Sequence, residues 1–369
     1  MSIRVLIVDD SAVMRALITR KLQADKSIEV VGTARDAVEA RGLIKSLDPD
    51  VVTLDVEMPG MDGLSFLAKI MELRPTPVII VSGSTGPGAQ ATARAMQLGA
   101  VNCYAKSTAT RSIADDDGGL LVRLVHEASQ VKLPPAKKAV SRPAPRPYPP
   151  ALKTAPAPVA SARGAAPDLI VIGSSTGGVE ALHVLLNGFP ADCPPTLVVQ
   201  HVNGCFAEAI ARSLNDDVRP HVSLAIPDRP LSRGEVLIAP GDDRHLVVGA
   251  KLSAFSRFRC EMHAAAPVSG HRPSVDALFH SAAANAGAGA LGILLTGMGR
   301  DGAEGLRAMA QAGAHTIAQD EASCVVFGMP RAAIELGAAK RVLALDQIAG
   351  CVFGPAPQAQ SAPSHKAHG

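Results

Sequence analysis

Two groups of residues in this chain have types and spacing suited to chemistry, and each asks for a different kind. Gly173-Ser174-Ser175-Thr176-Gly177-Gly178 follows an apolar run and precedes a helical pattern. It is a G-x-S-x-G turn centred on Ser175, in the strand–turn–helix context that gives the motif meaning. Small residues there permit a tight turn and let a substrate approach the backbone. A serine hydroxyl is a weak nucleophile at neutral pH and needs a base. His201 closes the run Leu197-Val198-Val199-Gln200-His201 and is expected at the same sheet edge. An imidazole titrates near neutral pH and suits that role. Asp301 lies just beyond another apolar run, in Thr296-Gly297-Met298-Gly299-Arg300-Asp301-Gly302, where it could fix the imidazole tautomer. The glycines beside Met298 would let backbone N–H groups face a developing oxyanion. Each piece has a plainer reading. A Gly-rich turn at a helix start also binds phosphate, and Asp301 could simply cap the helix that follows it.

The second group is acidic. Asp9-Asp10 end the first β-rich run, Asp55 follows the third, Ser82 ends the fourth and Lys106 follows the fifth. If these strand ends converge, three carboxylates repel one another and favour a hard cation such as Mg²⁺, which accepts carboxylates, carbonyls and water. One carboxylate is then available as a nucleophile toward a phosphoryl group.

Both groups require parallel strands whose carboxyl ends share one edge. The first 129 residues supply them: Ile3–Val8, Ile28–Thr33, Val51–Leu54, Val78–Val81 and Val101–Tyr104 read as strands. Between them Ala12–Gln23, Ala37–Leu47, Gly63–Leu73 and Gln90–Leu98 carry apolar residues at helical spacing. Five βα units predict a doubly wound α/β domain of flavodoxin-like type, with functional groups beyond the strand ends. Residues 167–354 repeat this logic. Leu169–Ile172, Leu197–Val199, Leu291–Leu295 and His315–Ala318 read as buried strands, and a helix is expected over Val179–Leu186. Within this second α/β domain, Glu235–Ala239, Arg244–Val248 and Leu252–Phe255 are separated by turn residues and predict inserted antiparallel hairpins.

Residues 130–166 hold nine prolines, seven Lys or Arg and no Asp or Glu, which predicts a flexible, extended tether. Residues 355–369 have similar composition and are expected to be a disordered tail. The chain's net charge is +2. Subtracting the tether's seven positive charges leaves the rest near −5, without the basic folded face that nucleic-acid binding needs. No apolar run approaches the roughly 20 residues of a membrane span, and the N-terminus lacks signal-peptide character, so a cytoplasmic location is expected. Six scattered cysteines without a C-x-x-C pair predict neither a disulfide framework nor a zinc site.

The order Ser…His…Asp departs from the Ser…Asp…His order of α/β-hydrolases. The chain instead resembles the chemotaxis protein-glutamate methylesterase/protein-glutamine glutaminase (CheB) family. IGSSTGGVEAL, VVQH, IAPGDDRHL, HRPSVDALFHSAA, LLTGMGRDGAEGL and FGMPRAAIELG carry the likeness in order. Residues 1–129, with LDVEMPGMDG, resemble response-regulator receiver domains. The resemblance implies Ser175, His201 and Asp301 as nucleophile, base and orienting acid, with Thr176 and Met298 shaping the oxyanion region. It implies Asp55 as phosphoacceptor and Ser82 and Lys106 as phosphate contacts. Mg²⁺ would be bound by Asp10 directly, Asp9 through water, Asp55 and the Glu57 carbonyl. It further implies methyl-accepting chemoreceptors as substrate, a chemotaxis histidine kinase as phosphate donor, and no cofactor for ester hydrolysis. Two positions depart from the receiver pattern: Ser107 stands where a proline usually follows the lysine, and Cys103 stands where an aromatic switch residue is usual, with Tyr104 beside it.

Overall fold

A computed structural model describes residues 2–58, 63–83, 86–106, 119–131, 133, 166–250 and 258–354. Apart from its ends, the expected tether lies outside these residues, as do the tail, the run Leu252–Phe255 and Ser107.

In the first domain, strands β1 (Ile3–Val8), β2 (Ile28–Ala34), β3 (Val51–Leu54), β4 (Val78–Ser82) and β5 (Asn102–Ala105) form a parallel sheet in the order β2-β1-β3-β4-β5. Helices α1 (Ala12–Leu22), α2 (Ala37–Leu47), α3 (Gly63–Leu73), α4 (Gly86–Gln97) and α5 (Leu120–Ser129) cover its two faces. Successive strand residues point to opposite faces. Val5 and Ile7 therefore pack with α1 and α5, while Leu6 and Val8 face the cluster that contains α2, α3 and α4.

In the second domain the chain runs through β6 (Leu169–Ser174), α6 (Gly178–Asn187), β7 (Thr196–Gln200), α7 (Gly204–Asp217), β8 (His221–Leu224), β9 (Arg229–Pro230) and β10 (Glu235–Ile238). It continues through β11 (His245–Gly249), β12 (Arg259–His263), α8 (Val275–Asn285), β13 (Ala290–Leu294), α9 (Ala303–Gln311), β14 (His315–Gln319), α10 (Met329–Glu335), β15 (Arg341–Leu343) and α11 (Leu345–Phe353). Seven of these strands form a parallel sheet ordered β15-β14-β13-β6-β7-β10-β8. From β6 the chain first builds outward through β7, then returns to build outward on the other side through β13. The loops after β6, β7 and β13 therefore adjoin at the point where strand order reverses, the place where such sheets gather ligand groups. Strand β6 is buried along its whole length, as expected of a parallel strand covered on both faces.

The expected hairpin insertion is smaller than its turn signals suggested. Strands β11, β12 and β9 form an antiparallel sheet, but β10 pairs in parallel with both β7 and β8. Gly-rich turns mark a chain reversal without fixing which partner the next strand finds, and β10, with Val236, Leu237 and Ile238 buried, finds the main sheet.

One close approach joins the sheet to the loops at its carboxyl edge. A Cβ on Gly173 would lie 2.1 Å from Cγ1 of Val275, and one on Gly302 would lie 2.5 Å from the same atom. The Val275 side chain thus fills the space that two glycines leave, bringing the start of α8 against the ends of β6 and β13. Gly173→Ala is expected to destabilise the chain by about 1–3 kcal/mol through overpacking, and Val275→Ala in the same chain should recover part of that loss. Urea unfolding followed by far-UV circular dichroism checks both.

Candidate active site

The site is built on Asp301, which is only 1% exposed. Its carboxylate lies against the first turn of α8 and accepts four hydrogen bonds. Oδ1 receives the Ser274 hydroxyl at 2.7 Å and the Asp276 N–H at 2.9 Å. Oδ2 receives the Val275 N–H at 2.8 Å and His201 Nε2 at 2.9 Å. A helix N-terminus has unsatisfied N–H groups and favours negative charge. Burial alone would raise the Asp301 carboxyl; the His201 bond and charge, with the Asp276 and Ser274 donors, outweigh it and hold the group below the usual carboxylate range. Its neighbour Asp276 goes the other way. Burial raises it, and the Asp301 charge adds to that, although Gly305 N–H and the Ser269 hydroxyl both donate to it. The two carboxyls are thus driven apart.

A carboxylate only accepts, so the His201 nitrogen facing Asp301 carries a proton, and in the neutral form of the ring Nδ1 keeps its lone pair. Nδ1 is buried and has no hydrogen-bond partner among the described residues. Ser175 and His201 line the same cleft, of about 620 Å³. His201 N–H donates to the Ser174 carbonyl at 3.0 Å, tying the two loops together. The structure thus joins His201 to Asp301 directly and puts Ser175 beside them, with the serine–imidazole hydrogen bond unformed in this state. Such bonds are often loose before substrate arrives.

Gln200, which the sequence reading passed over, holds the Ser174–Ser175 turn. Its Oε1 accepts the Ser174 hydroxyl at 2.6 Å, and its Nε2 donates to the carbonyls of Ser175 and His201 at 2.9 and 3.0 Å. Gly177 starts α6 at φ 73°, and a Cβ there would strike Val325. Ser175 N–H is occupied by the Thr296 carbonyl at 3.0 Å, so it is no oxyanion donor in this arrangement. Thr176 is fully buried. Met298 lines a neighbouring cavity of about 750 Å³ rather than the Ser175 cleft. His245 was also missed as a support. Buried on β11, it accepts the Ser274 N–H through Nδ1 at 3.1 Å and contacts the Ala266 carbonyl through Nε2 at 3.0 Å. The small antiparallel sheet thereby braces the loop that delivers Ser274.

In the first domain, Asp9, Asp10 and Asp55 bring ligand oxygens within 4.8 Å of one another. Lys106 Nζ lies 2.6 Å from Asp55 Oδ2 and 3.1 Å from Asp9 Oδ2. Burial pushes the Asp9 carboxyl up, with Lys106 opposing. Three carboxylates against one ammonium fit a hard divalent cation. Ser82 does not face this cluster freely: its hydroxyl donates to Glu57 Oε2 and to the Gly88 carbonyl, both at 3.3 Å. Glu57 N–H donates to Asp55 Oδ1 at 2.9 Å. At the expected switch position, Cys103 is buried, and Tyr104 beside it is fully buried.

The two domains meet over the serine cleft. Helix α4 packs along α7, with Arg94 and Gln97 3.4 and 3.2 Å from Asp217 Oδ2. From α5, Glu127 Oε2 accepts the Thr176 hydroxyl at 3.0 Å and Asn102 Nδ2 at 3.0 Å. Leu120, Arg123 and Leu124 of the same helix line the cleft opposite Ser175 and His201.

Fold and site together define a receiver domain joined to an α/β domain that carries a Ser, His and Asp at one sheet edge. The family profile described as response regulator receiver domain matches residues 5–116, and that of CheB methylesterase matches residues 170–352. A protein-glutamate methylesterase/protein-glutamine glutaminase 1 of Caulobacter vibrioides is 47% identical over 360 residues, 94% of this chain and 96% of that protein. One of Agrobacterium fabrum is 47% identical over 349 residues, 94% of each. The chain belongs to the CheB methylesterase family. Among the described residues, no helix is long and apolar enough to cross a membrane.

Because Asp301 is held below its unfolded value of about 3.9, it contributes stability that is complete above that pH and lost as pH falls through the folded value. Ser274→Ala removes one donor and should move that loss to higher pH. Carboxyl ¹³C titration of Asp301, alongside acid unfolding, reads the shift.

Proposed function

We propose that this chain is a cytoplasmic, phosphorylation-controlled protein-glutamate methylesterase and protein-glutamine glutaminase acting on methyl-accepting chemoreceptors in sensory adaptation. The observation that carries the reading is the His201–Asp301 pair in the Ser175 cleft, with Nδ1 of the imidazole left as a buried, unengaged base.

Ser175 Oγ attacks the γ-carbonyl carbon of a glutamyl methyl ester while His201 Nδ1 takes its proton. Asp301 keeps the imidazole in the tautomer that can accept it and stabilises the resulting imidazolium. Backbone donors beside Thr176 would hold the tetrahedral oxyanion; Met298, which lines the neighbouring cavity, would have to turn toward the Ser175 cleft to contribute. Collapse breaks the C–O bond, and His201 returns the proton to the leaving group, which departs as methanol. Water then cleaves the acyl-serine by the reverse proton path and leaves a glutamate carboxylate. A glutamine side chain follows the same path, with ammonia leaving. This use of Nδ1 as base and Nε2 toward the acid reverses the ring assignment of the familiar serine-protease triad.

In the receiver, Asp55 is the phosphoacceptor for a chemotaxis histidine kinase. Asp9, Asp10, Asp55 and the Glu57 carbonyl would hold Mg²⁺, which when bound neutralises charge around the phosphoryl group. Lys106 and Ser82 hold the acyl phosphate. Ser82 must first leave Glu57 and the Gly88 carbonyl, and Gly88 belongs to α4, the helix packed on the catalytic domain. That gives phosphorylation a physical route to the interface. Until then Glu127 presents to Thr176 a carboxylate, the same group the reaction produces, and α5 covers the cleft.

Ser175→Ala should keep phosphorylation at Asp55 but lose methanol release from methylated receptors; release at the unaltered rate would overturn the assignment. The fragment 167–354 should hydrolyse esters faster than the whole unphosphorylated chain, and Glu127→Ala should raise basal activity in the whole chain. Matched methanol-release assays, with and without an acyl-phosphate donor, measure both, and equal rates throughout would remove the inhibitory role of the receiver.

A further inference from the structure

The cleft carries a second imidazole that the proposed chemistry does not use. His271 comes from the loop between β12 and α8, and its ring lies face to face with His201. The centroids are 3.9 Å apart and the planes 6° from parallel. The loop that delivers it is braced on both sides. His271 N–H donates to the Val268 carbonyl at 2.9 Å, and Val268 N–H donates to the His271 carbonyl at 3.1 Å. Arg272 Nη1 donates to the Ala265 carbonyl at 3.0 Å, and Ser274 N–H is held by His245.

His201 needs such a neighbour. One edge of its ring is held by a single hydrogen bond to Asp301, and the other edge ends in Nδ1, which has no partner among the described residues. A ring held by one hydrogen bond can turn about it, and turning would swing Nδ1 away from Ser175. A flat face parallel to the imidazole removes that freedom. At 3.9 Å and nearly parallel, the His271 ring covers the face of the His201 ring. A cation over a ring face is attracted to it. The pair therefore gains most when His201 has taken the serine proton, and an interaction stronger in the charged intermediate than in the resting enzyme speeds the reaction.

We propose that His271 is a positioning residue for the base: its ring face fixes the plane of His201 and supports the imidazolium, without exchanging protons with the substrate. The inference rests on the reading of Ser175, His201 and Asp301 given above. It requires a neutral His271, and the surroundings supply one. Burial pushes its imidazole down to about 4, the charges of His201 and of Arg123 on α5 push the same way, and Asp301 opposes them. A group titrating there is uncharged at neutral pH.

The test is steady-state methanol release from a methylated receptor fragment by the full chain, activated with a small-molecule acyl phosphate. His271→Ala should lower kcat by on the order of tenfold to hundredfold, the scale of a misplaced catalytic group, with KM little changed. His271→Phe keeps a flat face without ring nitrogens and should restore most of that kcat. An undiminished kcat in His271→Ala would overturn the proposal. So would a His271→Phe variant as slow as His271→Ala, which would assign the role to the ring nitrogens. Ser175→Ala run in parallel separates the two levels. Full activity there brings down the parent reading and this inference with it, whereas an inactive Ser175→Ala beside an unimpaired His271→Ala overturns the positioning role alone.

Discussion

The catalytic domain depends on the capture of one carboxylate by one helix start. Asp301 reaches the first turn of α8 from the end of β13, and there Ser274 and two backbone N–H groups take up most of its acceptor capacity. What remains faces His201. A buried carboxylate is costly unless paired and hydrogen-bonded, so these donors let it stay ionised in a place 1% open to solvent. That charge places the proton of a neutral imidazole on the nitrogen that faces it. Much of the nearby architecture keeps this arrangement in register. Val275 wedges against Gly173 and Gly302, Gln200 ties the Ser175 turn to the His201 backbone, and His245 holds the Ser274 loop from the small antiparallel sheet.

The sheet edge that gathers Ser175, His201 and Asp301 is also the surface on which the receiver rests. Helix α5 supplies Glu127 to Thr176 and lines the cleft with Leu120, Arg123 and Leu124. Helix α4 lies along α7 and shares a continuous apolar cluster with it. The Ser175 cleft is therefore walled in part by the receiver's own helix. Among the described residues, the polar ties across the interface include Glu127–Thr176, the Arg94 and Gln97 contacts with Asp217, and a long Gly177 N–H to Val101 carbonyl bond of 3.4 Å.

Much of the fold was legible from periodicity. Buried parallel strands read as continuous apolar runs and their helices as 3.6-residue patterns, so the βα alternation of both domains emerged with boundaries a few residues off. The misreading at Glu235–Ile238 has a physical origin: turn residues announce a reversal, while strand pairing is decided by which exposed sheet edge the chain meets. The supports at Gln200, His245, Ser274 and His271 were not legible as such. A buried amide or imidazole that braces a loop has no spacing rule, because its partners are backbone groups and side chains distant in sequence.

By itself the sequence determined which side chains could do chemistry and on which strand ends they stand: Ser175, His201 and Asp301 in one domain, and Asp9, Asp10, Asp55 and Lys106 in the other. Local residue type and strand periodicity are short-range properties, which a linear pattern records fully. Only the tertiary structure decided which imidazole nitrogen faces the carboxylate, that a second imidazole lies parallel to the first, and that a glutamate of the receiver grips the threonine beside Ser175. Those outcomes depend on the mutual orientation of segments about 25 to 100 residues apart, which packing sets and no single stretch of chain encodes.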